Sequence, residues 1–293
     1  MTETVPLLEA RGVTKRFGQV QALDGADFTA YPGEVVALIG DNGAGKSSLV
    51  KTLSGAMRPD GGSIVVDGRE VQLHSPQDAR RVGIETVYQD LALAPDLDAS
   101  VNLHLGRELR RGGLLGRLGV LDRAAMRRAA VTAFAELGVE LPDVSVSVAT
   151  LSGGQRQSVA VARAVAFAHR IIFMDEPTAA LGVVQRGRVL DTIRRVRDRG
   201  ITVVLISHNM PEVLSVSDRI EVLRLGRRVA RFDAAGTSVE ELVGAMTGAL
   251  ELRPDSTDVG STAVGSTDVG PTGPTDLRKP MRPTPGETGE DGS

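Results

Sequence analysis

Residues 35–53 read Val35-Val36-Ala37-Leu38-Ile39-Gly40-Asp41-Asn42-Gly43-Ala44-Gly45-Lys46-Ser47-Ser48-Leu49-Val50-Lys51-Thr52-Leu53. The first five residues are apolar without alternation, as in a strand buried on both faces, and the last five are an apolar helical run. Between them Gly40 to Ser47 fits G-x4-G-K-[ST] in the strand–loop–helix context that gives the pattern its meaning. Glycines let successive backbone N–H groups converge on phosphate oxygens, and the helix N-terminus that follows adds partial positive charge. Lys46 is placed to reach β- and γ-phosphates and the Ser47 hydroxyl to ligate Mg²⁺. Lysine is scarce here, confined to Lys15, Lys46, Lys51 and Lys279, which makes an accidental match less credible. A nucleoside triphosphate is the expected ligand, although the loop alone does not separate a GTPase switch, a kinase and an ATPase motor.

Working outward, Ile171-Ile172-Phe173-Met174 and Val203-Val204-Leu205-Ile206 repeat the doubly buried strand pattern, which suits a parallel sheet covered by helices. The first 30 residues and Ser63–Gln72 alternate like antiparallel strands, with Asp67-Gly68 as a turn. Between about 95 and 165, Leu and Ala recur at helical spacing among arginines, so an all-helical insertion is expected. The expected fold is an α/β core with an antiparallel β edge and a helical insertion.

Composition sets further limits. The 293 residues contain no cysteine, which excludes disulfide frameworks, thiolate metal sites and cysteine nucleophiles. No apolar run approaches the roughly 20 residues needed to span a bilayer. Met1-Thr2-Glu3-Thr4 lacks the basic-then-apolar layout of a signal peptide, so a cytoplasmic location is expected. Residues 251–293 hold six of the 14 prolines and the recurring Ser256-Thr257-Asp258-Val259-Gly260, Ser261-Thr262-Ala263-Val264-Gly265 and Ser266-Thr267-Asp268-Val269-Gly270. That tail is expected to be disordered, since it buries too little apolar surface to offset its ordering entropy. Without it the chain is almost neutral, so no nucleic-acid partner is expected.

Two further stretches carry chemistry. Ile171-Ile172-Phe173-Met174-Asp175-Glu176-Pro177 is an apolar strand ending in two carboxylates. Beside a phosphate loop, the first acid at such an edge suits Mg²⁺ and the second can polarise the attacking water. Leu151-Ser152-Gly153-Gly154-Gln155 opens a long helix, with Ser152 as a good N-cap and two glycines freeing backbone N–H groups. One triphosphate has little need of two such anion-binding ends from the same chain. The pair makes sense when one chain's loop and another chain's helix grip a nucleotide from opposite sides.

In their order these motifs resemble the ATP-binding cassette family over most of residues 5–246, which implies an α/β P-loop NTPase (RecA-like) core with an antiparallel β subdomain and an inserted α-helical subdomain. Gly40–Ser48 is similar to the Walker A loop, which implies ATP contacts from Gly40, Asn42, Gly43, Gly45, Lys46, Ser47 and Ser48. Leu151–Gln155 resembles the family signature, implying ATP contacts from Ser152, Gly153, Gly154 and Gln155, and Ile171–Glu176 resembles the Walker B strand. Gln89, in Val87-Tyr88-Gln89-Asp90, is similar to the Q-loop glutamine, a metal and catalytic position. His208, in Ile206-Ser207-His208-Asn209, resembles the switch histidine, and Phe17 sits where the family stacks an aromatic ring on adenine. The resemblance implies Asp175, Ser47 and Gln89 around Mg²⁺, with Glu176, His208 and Gln89 catalytic. One departure stands out: after Asp175-Glu176-Pro177-Thr178 the family commonly has Ser-Ala-Leu-Asp, and this chain has Ala179-Ala180-Leu181-Gly182, which puts crosstalk across the cassette interface in doubt.

The wording around Gln89, Thr178 and His208 resembles ATP subunits of monosaccharide importers of the ribose, xylose and fructose kind. That likeness implies a peripheral subunit on the cytoplasmic face of a membrane, paired with a second ATP-binding subunit as a homodimer. It also implies transmembrane permease subunits and, indirectly, an extracytoplasmic sugar-binding protein. The rival from another class is a soluble cassette ATPase acting on nucleic acid or ribosomes, which commonly carries very long coiled coils or two cassettes. A third reading, a module that binds ATP without hydrolysing it, sits poorly with Glu176 and His208.

Overall fold

The computed structural model describes residues 5–88, 91–139, 141–179 and 181–249. The expectations for Gln89 and for the 251–293 tail lie outside these residues. The chain opens with the hairpin β1 (Leu8–Phe17) and β2 (Val20–Ala30), then β3 (Val35–Ile39) and α1 (Lys46–Leu53). A second hairpin, β4 (Gly61–Val66) and β5 (Arg69–Val71), leads through α2 (Pro76–Arg81) to β6 (Ile84–Val87). Helices α3 (Ala99–Leu103), α4 (Gly113–Arg117), α5 (Arg123–Leu137) and α6 (Gly153–Phe167) follow. The chain continues through β7 (Ile171–Asp175), α7 (Val183–Asp198), β8 (Thr202–Ile206) and α8 (Met210–Val216). It then forms the hairpin β9 (Arg219–Arg224) and β10 (Arg227–Asp233) before α9 (Val239–Thr247).

Two sheets result. One has order β2-β1-β4-β5 and is antiparallel, with Asp67 (φ 54°) and Gly68 (φ 72°) forming its second turn, as the sequence suggests. The other has order β10-β9-β3-β8-β7-β6, parallel except for β10. Its central strands are buried on both faces, so successive side chains feed different cores. Ile172, Met174, Val203 and Leu205 pack with Phe134, Leu137, Val159 and Ile193 of the helices. Their neighbours Ile171, Phe173, Val204 and Ile206 pack with Phe28 and Leu23 of the antiparallel sheet and with Leu49 and Leu53 of α1. A third cluster joins Ala37, Ile39, Ile220 and Val222 to α8 and α9.

The expected insertion is helical with irregular connections. α5 starts on an Asp122 cap and ends at Gly138 in the left-handed region, whereas α4 is a single short turn with no buried residue. α6 belongs as much to the parallel sheet as to the insertion, since Val159, Val161 and Val165 share a core with Ile172 and Met174.

A buried charge cluster links the two sheets. Glu221 of β9 is fully buried and accepts from the Thr29 hydroxyl of β2 at 2.8 Å and from Arg219 at 2.9 Å. Arg219 also reaches Glu34 at 2.9 Å and the Thr29 carbonyl at 2.7 Å, and lies over the Tyr31 ring. Burial works against the Arg219 charge, but Glu34 and Glu221 more than offset it and push its pKa above the ordinary value. The sequence offers little sign of this network, because Arg-Ile-Glu-Val-Leu-Arg reads as an exposed alternating strand. The expected result for Glu221→Ala is a loss of about 3–5 kcal/mol in urea unfolding, since Arg228 of β10, 3.6 Å from Glu221, loses its carboxylate and Arg219 is left with Glu34 as its acid. A loss below the spread of surface substitutions would show the cluster to be energetically idle.

Candidate active site

Strands β3, β8 and β7 lie side by side and parallel, so their carboxyl ends open on one edge, where ligands of open α/β sheets bind. β3 ends in the glycine loop, β8 leads to His208, and β7 ends in Asp175 and Glu176. Asp175 is in register with Ile206 and Leu38 with Ile206, so segments more than 130 residues apart meet within about two strand spacings, roughly 10 Å.

The loop is shaped from behind. Gly40 (φ 154°) has no room for a side chain, since a Cβ would fall 2.2 Å from the Leu223 carbonyl. Gly45 (φ 104°) would place one 2.6 Å from the Ala22 carbonyl. The turn Leu225 (φ 49°)–Gly226 (φ 76°) braces the loop: the Gly226 N–H donates to the Ala44 carbonyl at 2.9 Å, and the Gly226 carbonyl accepts from Asp24 N–H. Gly45 is the N-cap of α1 and no side chain caps it, so backbone N–H groups of the first turn remain to receive an anion. Asn42, Gly43 and Ser47 are exposed at the loop surface and Ser48 is half-buried. Lys46 folds over the loop, donating to the carbonyls of Gly40 at 2.6 Å and Asp41 at 3.0 Å.

Partial burial pushes the Lys46 pKa down, opposed by Glu176, Asp41 and Asp175. Burial, then repulsion from Glu176, pushes the Asp175 carboxyl up, with Lys46 and Lys51 pulling the other way. Asp175 and Glu176 stand side by side at the strand end as hard oxygen donors. Among the described residues no group of three or more His, Asp or Glu side chains can hold a metal. That donor set suits Mg²⁺, which takes one or two carboxylates and completes its shell with water and phosphate oxygens. Asp175 and the Ser47 hydroxyl are the candidate ligands here.

Glu176 adopts a left-handed backbone (φ 49°), uncommon for a residue with a side chain, and its N–H is tied to the Ile206 carbonyl at 2.9 Å. That kink turns a residue at a strand end toward the edge. Its carboxylate meets His208 Nδ1 at 2.8 Å, with Glu176 mostly covered and His208 75% exposed. The structure thus joins these two candidates directly. Behind them Glu212 accepts from Thr178 at 2.5 Å and from Asn209 at 2.8 Å. This support escaped the sequence reading, yet Asn209-Met210-Pro211-Glu212 shows an N-cap with an acid three residues on, and Asn209 does cap α8.

Phe17 ends β1 beside a tight turn and is 48% exposed, with the Lys15 ammonium 5.8 Å from its ring centre. An exposed ring there is available for stacking and is not core filler.

Ser152 caps α6 through a reciprocal capping box: Gln155 N–H donates to its hydroxyl, and Ser152 N–H donates to the Gln155 side chain at 2.9 Å. Gln155 is therefore engaged locally. A cavity of about 220 Å³ opens here, lined by Ser152, Gly154, Ser158, Gln185 and Gly138 among others, and it contains no residue of the glycine loop. Gly153 leaves open space where a Cβ would stand, while Gly154 faces the flexible Gln185 side chain. Gly182, at the position of the family's aspartate, caps α7 without a side-chain hydrogen bond.

A glycine loop at a helix start, an acid pair two strands away and a histidine after the strand between are the parts that a P-loop nucleoside-triphosphate site requires. Comparison with known proteins is specific. Residues 23–179 match the ABC transporter family. The chain is 54% identical over 248 residues to the fructose import ATP-binding protein FrcA of Rhizobium meliloti, covering 84% of this chain and 95% of that one. It is 46% identical to the xylose/arabinose import ATP-binding protein XylG of Sulfolobus acidocaldarius, covering 82% and 94%. It is 48% identical to a ribose import ATP-binding protein of Rubrobacter xylanophilus, covering 83% of this chain but only 47% of that relative. The fold is shared with an ATP-binding cassette of an ABC transporter in its ADP conformation, at a TM-score of 0.70 and 24% identity, covering 83% and 96%. The chain belongs to the ABC transporter family and is an ATP-binding cassette ATPase of it.

Replacing Lys46 by Ala removes the ammonium over the loop. Calorimetry with MgATP is expected to show affinity down by about two orders of magnitude or more. Unchanged affinity would place the triphosphate elsewhere.

Proposed function

We propose that this chain energises monosaccharide import, binding MgATP at the β3 loop and hydrolysing it only when a second cassette completes the site. The observation that carries the reading is the coexistence, in one chain, of an edge that gathers the glycine loop, Asp175, Glu176 and His208 and a separate helix start at Ser152 suited to an anion. Each half would meet its complement on another copy. Ser152 and Gly154 would then donate to the γ-phosphate held by the partner's glycine loop, so bound ATP becomes part of the interface and stabilises closure by mass action. Val183 and Val184 are 84% and 67% exposed beside Gly182 and next to Gln185 of the signature cavity, an apolar pair suited to being covered in such a closed form.

Within the closed site Glu176 would orient and polarise water, with His208 beside it to stabilise γ-phosphate charge. Bound Mg²⁺ supplies neutralisation of phosphate charge, with Asp175 and Ser47 as its protein ligands. Phe17 would stack on the adenine, and Gln89 would join the site to the membrane subunits. Loss of the bridging phosphate then lets the clamp open. The absence of an acid at Gly182 removes one charged contact between the two half-sites.

Among the described residues no helix is long and apolar enough to cross a membrane, and relatives of this kind serve membrane transporters, which supports a peripheral subunit docked on transmembrane permeases. Leu114, Leu115 and Leu118 of the insertion are 73%, 48% and 73% exposed, an apolar surface suited to such docking. Fructose, ribose and xylose/arabinose in the names of the relatives support a monosaccharide as cargo, delivered by an extracytoplasmic binding protein.

Glu176→Gln keeps the geometry but removes the base. With MgATP the variant is expected to run as a stable dimer on size-exclusion chromatography, with turnover reduced about 10²–10⁴-fold. A variant that stays monomeric where the wild type pairs, or that hydrolyses at the wild-type rate, would refute the clamp.

A further inference from the structure

We propose that the cavity at the opposite, N-terminal ends of β6 and β7 is a second anion site, built for a phosphate or phosphomonoester group. The cavity encloses about 390 Å³, enough for a small phosphorylated molecule. Its floor is aliphatic, made by Val66, Val71 and Val82, and its wall is cationic, made by Arg69, Arg80, Arg81 and Arg170. His169 adds a further donor, and Asp67 is the acid in the lining.

Neighbouring carboxylates leave this wall under-compensated. Arg81 pairs with Asp78 at 2.8 Å and Arg170 with Asp67 at 2.9 Å, both at exposed positions. Arg80 lies 3.4 Å from Glu85, but Glu85 already binds Arg107. Arg69, on β5, has no carboxylate within ion-pair distance among the described residues. Four guanidinium groups therefore line an open, partly apolar hollow, and of the three acids that pair with them Glu85 is shared with Arg107 outside it. Arginine forks match phosphate oxygens in geometry and in hydrogen-bond direction.

The hollow is also shaped by backbone. Gly83 has φ +89°, and a Cβ there would fall 2.8 Å from Arg170 Cγ, so its bare backbone lets the Arg170 stem lie flat along the wall. The Gly83 carbonyl accepts from Arg170 N–H at 3.3 Å and from Ile171 N–H at 3.1 Å, which fixes where that stem starts. The tight turn at Asp67-Gly68 sets the facing rim.

Arg170 immediately precedes β7, and Asp175 is its last residue, so the cavity and the nucleotide edge are separated by about five residues of strand, roughly 16 Å. A ligand here does not touch ATP, and the two sites share the buried strand between them.

The test uses the full chain saturated with MgADP, so that the glycine loop is filled, titrated by calorimetry with inorganic phosphate and with ribose 5-phosphate. A parallel arm measures co-sedimentation with phosphatidylglycerol vesicles against phosphatidylcholine vesicles. Saturable heat with either soluble probe supports the site with a free phosphate as its source. Pelleting with phosphatidylglycerol alone, without such heat, supports it with a lipid headgroup as the source. In either case Arg69→Gln and Arg69→Gln/Arg170→Gln are expected to weaken binding by about tenfold or more. MgADP affinity in these variants, unchanged from wild type, reports that the fold is intact. Lys46→Ala is expected to retain the second site. Binding of none of the three probes overturns the proposal, as does binding that survives both arginine variants. Binding lost in Lys46→Ala but kept in the arginine variants would assign the signal to the nucleotide loop and overturn it too.

Discussion

The burial of β3, β7 and β8 on both faces is the constraint from which the site follows. A strand with no solvent-facing side can display polar chemistry only where it ends, so the functional groups gather at the carboxyl edge. Because neighbouring strands are parallel, all three ends fall on one side, and residues distant in sequence arrive there without long excursions. The same burial explains why the hydrophobic pattern is unbroken: Ile171 and Phe173 serve one core, Ile172 and Met174 the other.

At that edge the electrostatics oppose one another on a small scale. A half-buried lysine whose charge is disfavoured by desolvation stands near two acids, one of which is likewise disfavoured in its charged form. Lys46 donates its hydrogen bonds to backbone carbonyls, and Glu176 meets His208. The edge therefore suits a ligand that carries negative charge and brings a cation with it.

Much of this was legible in the residues. Gly40 to Ser47 lay between a run with no alternation and a helical run, so strand, loop and helix could be placed from periodicity alone. Asp67-Gly68 announced its turn. Ser152 with Gln155 announced a capped helix, and the structure adds that Gln155 spends its side chain on the cap. What escaped was long-range. The Arg219–Glu221 cluster looks like a solvated strand because alternating charges carry no mark of burial until β2 and β10 close over them. The Thr178–Glu212 contact joins segments 34 residues apart, and only its capping half could be read locally. The left-handed Glu176 could not be read from sequence, since nothing in Asp-Glu-Pro demands it.

The brace behind the glycine loop has a further meaning. Gly226 holds Ala44 on one side and Asp24 on the other, while the Leu223 carbonyl blocks any side chain at Gly40. The cradle for phosphate is thus cast against a mould contributed by the far end of the domain, and its contour is inherited from a two-residue bend almost two hundred positions downstream. Lengthening that bend by one residue would deform the cradle without altering a single letter of it.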